Sequence, residues 1–145
     1  MSILVSVQGL TKSYGLLPLF QGLSLGFNAN EKIGLIGPNG SGKSTLLKIL
    51  SGMEEPDDGV LSRNRNCKIT YLAQTESFSD SATVQESLEE KIPQHVSASE
   101  RPLRVQEILR SLSIIDSHIP FGELSGGLRK RVALGPVLIQ QPDLL

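Results

Sequence analysis

Cysteine is nearly missing from this chain: Cys67 is the only one in 145 residues. A single thiol excludes an internal disulfide and a cysteine-based zinc site. Its plainest role is that of a small apolar residue in a strand. Charge of one sign is missing too. Lys and Arg number 14, Asp and Glu 15, for a net charge of -1, so there is no overall basic field to draw in nucleic acid. No apolar stretch approaches the roughly 20 residues of a membrane span. The start, Met1-Ser2-Ile3-Leu4-Val5-Ser6-Val7, lacks the basic residues and long apolar run of a signal peptide. There is no internal repeat and no low-complexity tract. His95 and His118 sit in segments without a supporting motif, which argues against serine–histidine chemistry. The remainder is ordinary for a soluble cytosolic domain: 39% hydrophobic residues, and enough length for one domain with a core.

What is present is concentrated in one octapeptide. Gly37-Pro38-Asn39-Gly40-Ser41-Gly42-Lys43-Ser44 matches the phosphate-binding pattern G-x-x-x-x-G-K-S. Its context fits. Lys32-Ile33-Gly34-Leu35-Ile36 before it reads as a buried strand. Thr45-Leu46-Leu47-Lys48-Ile49-Leu50 after it reads as a helix starting near Lys43, with Gly52 as its C-terminal cap. Gly37, Gly40 and Gly42 can take positive φ, so successive N–H groups can curl round an anion. The helix start adds its unpaired N–H groups and positive dipole end. Pro38 fixes φ where the loop leaves the strand. Lys43 is expected to reach the β- and γ-phosphates of a nucleotide, and the Ser44 hydroxyl to ligate Mg²⁺.

The rest of the chain alternates strands and helices. Ile3, Val5 and Val7 mark a half-buried strand, and Leu23 to Phe27 a second one. Asn28-Ala29-Asn30-Glu31 reads as a turn. Glu54-Glu55-Pro56-Asp57-Asp58-Gly59 reads as a solvated polar turn, although its acidic pairs have the look of metal ligands. Lys68 to Ala73 predicts a further strand. Thr83 and Glu86 have capping-box spacing, which predicts a helix to about Lys91. After a loop over 94–100, Pro102 opens a helix with an apolar stripe of Val105, Ile108, Leu109 and Leu112.

A second cluster follows: Leu124-Ser125-Gly126-Gly127-Leu128-Arg129-Lys130-Arg131-Val132-Ala133-Leu134. Ser125 is a natural N-cap, and the glycines leave the helix N-terminus open to an anion. By itself this is a capped surface helix. Its basic first turn opposes the dipole, which hints at an anionic neighbour.

Together the two clusters resemble the ATP-binding cassette (ABC) ATPases over essentially the whole chain. Leu124-Ser125-Gly126-Gly127 is similar to the ABC signature. Tyr71-Leu72-Ala73-Gln74 is similar to the Q-loop, and Tyr14 in Leu10-Thr11-Lys12-Ser13-Tyr14-Gly15 to the aromatic residue that stacks on adenine. The resemblance implies an α/β P-loop NTPase fold: an antiparallel β subdomain, a parallel core sheet and a helical subdomain. It divides 1–145 into a β and P-loop core (roughly 1–80), a helical subdomain (81–125), and the signature helix with the start of the Walker B strand (125–145). It implies ATP and Mg²⁺ as cofactors. Nucleotide would be held by Tyr14, by Gly37 through Thr45, and by Ser125, Gly126 and Gly127 acting on ATP bound to the other cassette. Ser44 and Gln74 would face the metal, and Gln74 would contact the attacking water. Ser125 is no nucleophile in this scheme.

The branch is read from smaller features. Transporter cassettes usually have Gln after the signature glycines, and here stands Leu128. Leu128 to Leu134, Glu31 to Gly37 and Ile69 to Gln74 look more like the soluble, Uup-like ABC-F branch, which carries two cassettes in one chain and acts on the ribosome or nucleic acid. The alternatives are a transporter ATPase subunit and a non-hydrolysing fragment. The sequence reaches Gln141-Pro142-Asp143-Leu144-Leu145, where the family's Walker B strand begins. The catalytic Glu is not within 1–145, so this polypeptide alone is expected to lack ATP turnover. Neither Asp116 nor Asp143 supplies the missing pair. Pro136, inside the signature helix, is expected to kink or weaken it, since an interior proline costs about 3 kcal/mol. The expected partner is a second cassette, with ribosome, RNA or DNA contacts made by parts outside this chain. Expected localisation is cytoplasmic, without membrane insertion.

Overall fold

Alternating apolar residues build the first strand, β1 (Ile3–Tyr14), which turns through Gly15 and Leu16 into β2 (Leu17–Asn28). In the computed structural model, which describes residues 2–73 and 78–145, β3 (Asp58–Arg63) pairs with the other edge of β1. The sheet is antiparallel, with the order β2-β1-β3. As the central strand, β1 carries the burial: Leu4, Val5, Val7 and Leu10 lie in the core, while Ile3 is exposed. The helix α1 (Lys43–Ser51) adds Leu46, Ile49 and Leu50 to the same cluster. Their helical spacing puts them on one side of α1.

Helix α1 ends as expected. Gly52 is left-handed at φ 83; its N–H bonds Ile49 O, and the Met53 N–H bonds Lys48 O at 2.9 Å. Arg63 of β3 donates to Ile49 O at 3.1 Å, which sets a cation at the negative end of the helix dipole. The turn after β2 also forms. Glu31 accepts from the Asn28 N–H and Nδ2, and these bonds hold its carboxyl below the usual carboxylate range. Cys67 packs half-buried against this first core as a small apolar residue, although it lies outside any strand and not within one as expected.

Two expected strands do not form. Residues 32–36 carry no strand, and Ile33, Leu35 and Ile36 are 57%, 45% and 95% exposed. A strand exists only as part of a ladder, and among the described residues nothing pairs with this segment. The expected strand over 68–73 shrinks to one parallel bridge, Ile69 with Leu144. Thr70 N–H donates to Leu144 O at 3.0 Å, and Leu144 N–H to Lys68 O at 3.2 Å. A parallel core sheet is therefore not assembled among the described residues. Such sheets are stable only when both faces are covered.

One consequence is measurable. An unpaired apolar segment is a template for association. The 145-residue polypeptide is expected to self-associate at micromolar concentration, and Ile36→Lys to reduce this. Analytical ultracentrifugation checks it; a monomeric wild type with a sharp, reversible thermal transition would contradict it.

The residues up to Tyr71, with Leu144, form one unit, and Leu72 to Asp143 form most of a second. The second is helical: α2 (Val84–Glu90), α3 (Arg101–Ser111), a 3-10 turn at Phe121–Glu123 and α4 (Gly126–Ile139). The capping box is complete. Glu86 N–H donates to Thr83 Oγ1 at 3.2 Å, and Thr83 N–H to Glu86 Oε2 at 2.8 Å. The second of these bonds is the main cause of the lowered pKa of Glu86. Val105, Leu109 and Leu112 of the expected stripe are buried with Val84, Leu88, Val132 and Ile139, and Ile108 packs against them half-buried.

Helix α4 continues past Pro136 to Ile139, so the proline does not end it. Proline forfeits the bond to the carbonyl four residues back, that of Val132. Pro136 lies one turn from the helix end, where few bonds depend on it, and it is buried beside Val132, Val137 and Ile139. Burial of its ring offsets the single lost bond.

Candidate functional site

The glycine loop is built from backbone geometry. Gly40 and Gly42 take positive φ, 81° and 86°, whereas Gly37 does not, which corrects the expectation for that residue. At Gly37 a Cβ would stand 3.0 Å from Ser41 Oγ, a tight contact that the serine side chain would have to turn away from. At Gly42 a Cβ would meet Leu19 and Phe20 at 3.1 Å, so the loop lies tight on β2. Gly42 is the N-cap of α1 and has no side chain to bond the first-turn N–H groups. No acidic residue stands in that turn. The N-terminus of α1 thus offers unpaired donors and a positive dipole end, a fit for phosphate oxygens.

Lys43 is folded back into the loop it would share with a phosphate. Its Nζ donates to Gly37 O at 2.8 Å and Pro38 O at 2.7 Å. Pro38, Asn39, Gly40 and Ser44 are exposed, so the loop's outer rim is open to solvent. Ser44, at the second helical position, is exposed. Thr45, by contrast, is buried at 8% exposure in the helix flank. Among the described residues no group of His, Cys, Asp and Glu could hold a metal ion by itself. A cavity of about 330 Å³ adjoins the loop, lined by Phe20, Leu23, Leu35, Ile36 and Leu46 as well as by Lys43. Gly37, Pro38, Ser41 and Gly42 of the loop form its other wall. It is the gap beside the unpaired 32–36 segment.

Tyr14 lies in the same unit, at the end of β1, and is 53% exposed as a residue. The turn expected to be merely solvated holds it. Tyr14 Oη donates to Glu54 Oε1 at 2.6 Å. Lys12 Nζ donates to Asp57 Oδ1 at 3.1 Å and to Glu55 O at 2.8 Å, and lies 3.4 Å from Glu54 Oε1. Asp57 Oδ2 accepts the Ser13 N–H at 2.7 Å. These contacts raise the Lys12 pKa, chiefly through Asp57. They lower that of Glu54, chiefly through Tyr14, and that of Asp57, chiefly through Ser13. Asp58 and Gly59 belong to β3 rather than to the turn. The overlooked signal was Lys12 and Tyr14 at i and i+2, on one face of a strand.

Ser125, Gly126 and Gly127 lie in the second unit, exposed at the start of α4. Ser125 is the N-cap, accepting the Leu128 N–H at 3.3 Å. The basic first turn has an internal explanation for Arg129. Its guanidinium donates to Leu124 O and Gly122 O, and stands 5.6 Å from the Phe121 ring centre. Arg129 therefore stitches the preceding loop to the helix instead of awaiting an anion, while Lys130 and Arg131 remain exposed. Asp116 accepts the His118 N–H, a local turn contact. Gln74, the Q-loop candidate, lies outside the described residues.

Comparison with known proteins bears on the chain as a whole. A family model described as ABC transporter matches residues 20–145. The chain is 34% identical to the lipoprotein-releasing system ATP-binding protein LolD of Bacteroides thetaiotaomicron, over 98% of this chain and 73% of LolD. It is 33% identical to the ATP-binding protein Uup of Buchnera aphidicola from Schizaphis graminum, over 98% of this chain and 24% of Uup. It spans under a third of several relatives of that length. Among solved structures, a bacterial ABC transporter cassette in dimeric form matches with a TM-score of 0.76 and 25% identity, covering 95% of this chain and 70% of that one.

Proposed function

The chain belongs to the ABC transporter ATP-binding family, whose cassettes bind and hydrolyse ATP, and we propose that its two glycine clusters each contribute half of a nucleotide site completed by a second cassette. In this reading Gly37 to Gly42 and the α1 N-terminus hold the phosphates. Lys43 leaves the Gly37 and Pro38 carbonyls for the β- and γ-phosphates, Ser44 and Gln74 face Mg²⁺, and Tyr14 carries the adenine. Mg²⁺ neutralises charge between the phosphates when bound. Ser125, Gly126 and Gly127 cover the γ-phosphate held by a second cassette. The observation that carries the reading is the uncapped α1 N-terminus behind Gly42, with a lysine ready at its mouth.

The finer assignment is a cytoplasmic, ABC-F-type cassette working on translation or nucleic acid. Leu128 after the signature glycines and the similarity to Uup support it. The similarity to LolD, most of whose length this chain covers, favours a second reading as a transporter ATPase subunit. Under both readings the division into a β and P-loop core, a helical subdomain and a signature helix is the same. No helix among the described residues is long and apolar enough to cross a membrane.

Sedimentation of the full-length protein in cell extract, with a non-hydrolysable ATP analogue, separates the two. Nucleotide-dependent migration with ribosomes is expected. Recovery in the membrane fraction instead would transfer the assignment to the transporter reading.

A further inference from the structure

The acidic turn after α1 does more than close a loop. It starts where the phosphate-binding helix stops: Ser51 ends α1, Gly52 caps it, and Glu54 follows two residues later. From there the chain reaches back to the end of β1 with five separate bonds. Asp57 N–H donates to Thr11 O at 2.9 Å, and Asp57 Oδ2 accepts the Ser13 N–H at 2.7 Å. Lys12 Nζ donates to Glu55 O and Asp57 Oδ1. Tyr14 Oη donates to Glu54 Oε1. Residues 11, 12, 13 and 14 of β1 are each gripped by a turn of four residues.

The grip has a definite product. Tyr14 stands at the tip of a hairpin whose next residues, Leu16 and Leu17, are 100% and 74% exposed. An aromatic side chain in that position would ordinarily sample several rotamers. Here its hydroxyl is anchored to a carboxylate at 2.6 Å, a short charge-assisted bond. The Lys12 ammonium lies 5.8 Å from its ring centre, within range of a cation–π contact. The same ammonium is 3.4 Å from Glu54 Oε1, so one lysine braces both the ring and its anchor. The hydroxyl is held, yet Tyr14 as a residue stays 53% exposed.

We propose that Lys12, Glu54 and Asp57 are positioning residues that hold the Tyr14 ring ready to stack on the base of a nucleotide, and that the 52–57 turn ties this platform to the phosphate-binding helix. The proposal rests on the reading of Tyr14 as the base platform given above. Ordering a side chain on binding costs affinity, and a ring already fixed avoids that cost. Because the anchor is the continuation of α1, base and phosphate contacts stand at a set spacing. Ligands with a base gain from the clamp, and ligands without one do not.

The test compares Mg·ATP with Mg·tripolyphosphate, which has the phosphates but no base, by calorimetric titration of the full-length protein. Glu54→Ala is expected to weaken ATP binding about fivefold to tenfold and to leave tripolyphosphate within twofold of wild type. Glu54→Gln keeps an acceptor for the Tyr14 hydroxyl and should recover most of the loss. Tyr14→Phe removes the same bond from the other side. Adding it to Glu54→Ala should cost almost nothing further, since both changes break one contact. Equal losses for ATP and tripolyphosphate would overturn the proposal, because the turn would then act on α1 and not on the ring. ATP affinity unchanged in Glu54→Ala but reduced in Tyr14→Ala would also overturn it, while sparing the base-platform reading. ATP affinity unchanged in Tyr14→Ala would overturn both.

Discussion

Lys43→Ala is expected to raise the Kd for ATP by about ten- to a hundredfold. The estimate follows from the bonds such a lysine can make with phosphate oxygens. Each hydrogen bond to a charged group contributes about 1.5–3 kcal/mol, and 1.4 kcal/mol is about tenfold in affinity. The unliganded geometry makes the exchange inexpensive. Lys43 Nζ already sits inside the loop on two neutral carbonyls, those of Gly37 and Pro38. Moving to a phosphate replaces neutral acceptors with anionic ones and releases both carbonyls to solvent, where the loop is exposed. Removing the side chain leaves the N–H groups behind Gly42 in place, so weak residual binding should persist. Titration with a fluorescent ATP analogue reads the effect. Equal affinity for wild type and Lys43→Ala would show that the loop is not the phosphate site.

Gly59→Ala should produce the largest loss of stability of any single methyl addition in the β unit. Gly59 lies in β3 at φ +100°, beyond the small left-handed region that non-glycine residues tolerate. A Cβ there would stand 2.6 Å from Leu10 Cα and 2.7 Å from Gly9 C and O. These are backbone atoms of the central strand, at the irregularity in the β1–β3 register between Gln8 and Thr11. They cannot swing aside as a side chain can. Leu10 itself is fully buried. Backbone strain alone costs about 1–3 kcal/mol. With the steric conflict added, the total should reach roughly 3–5 kcal/mol, a large part of the 5–15 kcal/mol typical of a domain. Urea denaturation followed by circular dichroism measures it. Gly26→Ala, where a Cβ meets nothing within 4 Å, is the control and should stay near wild type. A Gly59→Ala variant as stable as that control would refute the close approach of β3 to β1.

Such a variant should also weaken ATP binding, because β1 ends in Lys12 and Tyr14. Loss of the β1–β3 pairing would loosen the strand that the 52–57 turn holds.

Local chemistry was legible in the residues themselves. The glycine loop, the α1 start and its Gly52 cap, the Thr83–Glu86 capping box and the Ser125 N-cap all depend on residues within about five positions of one another. Spacing alone can specify such features. The family was legible for a related reason: two glycine clusters that resemble its motifs stand in the right order, and chance rarely supplies both. What the sequence could not decide are the arrangements that need a distant partner. The apolar run over 32–36 reads as a strand, yet a strand is made by its neighbours, and none pairs with it among the described residues. Arg129 reads as a cation waiting for an anion, but folding supplies the carbonyls of Gly122 and Leu124. Pro136 reads as a breaker, and its burial near the end of α4 lets the helix continue. Glu54 and Asp57 read as a solvated turn, because their partners Tyr14 and Lys12 are 40 and 45 positions away in the chain and become neighbours only when β1 and the end of α1 pack into one unit. Sequence determined which groups are candidates to bind phosphate; tertiary structure alone decided which side chains hold Tyr14, since hydrogen bonds depend on ångströms in space and not on distance along the chain.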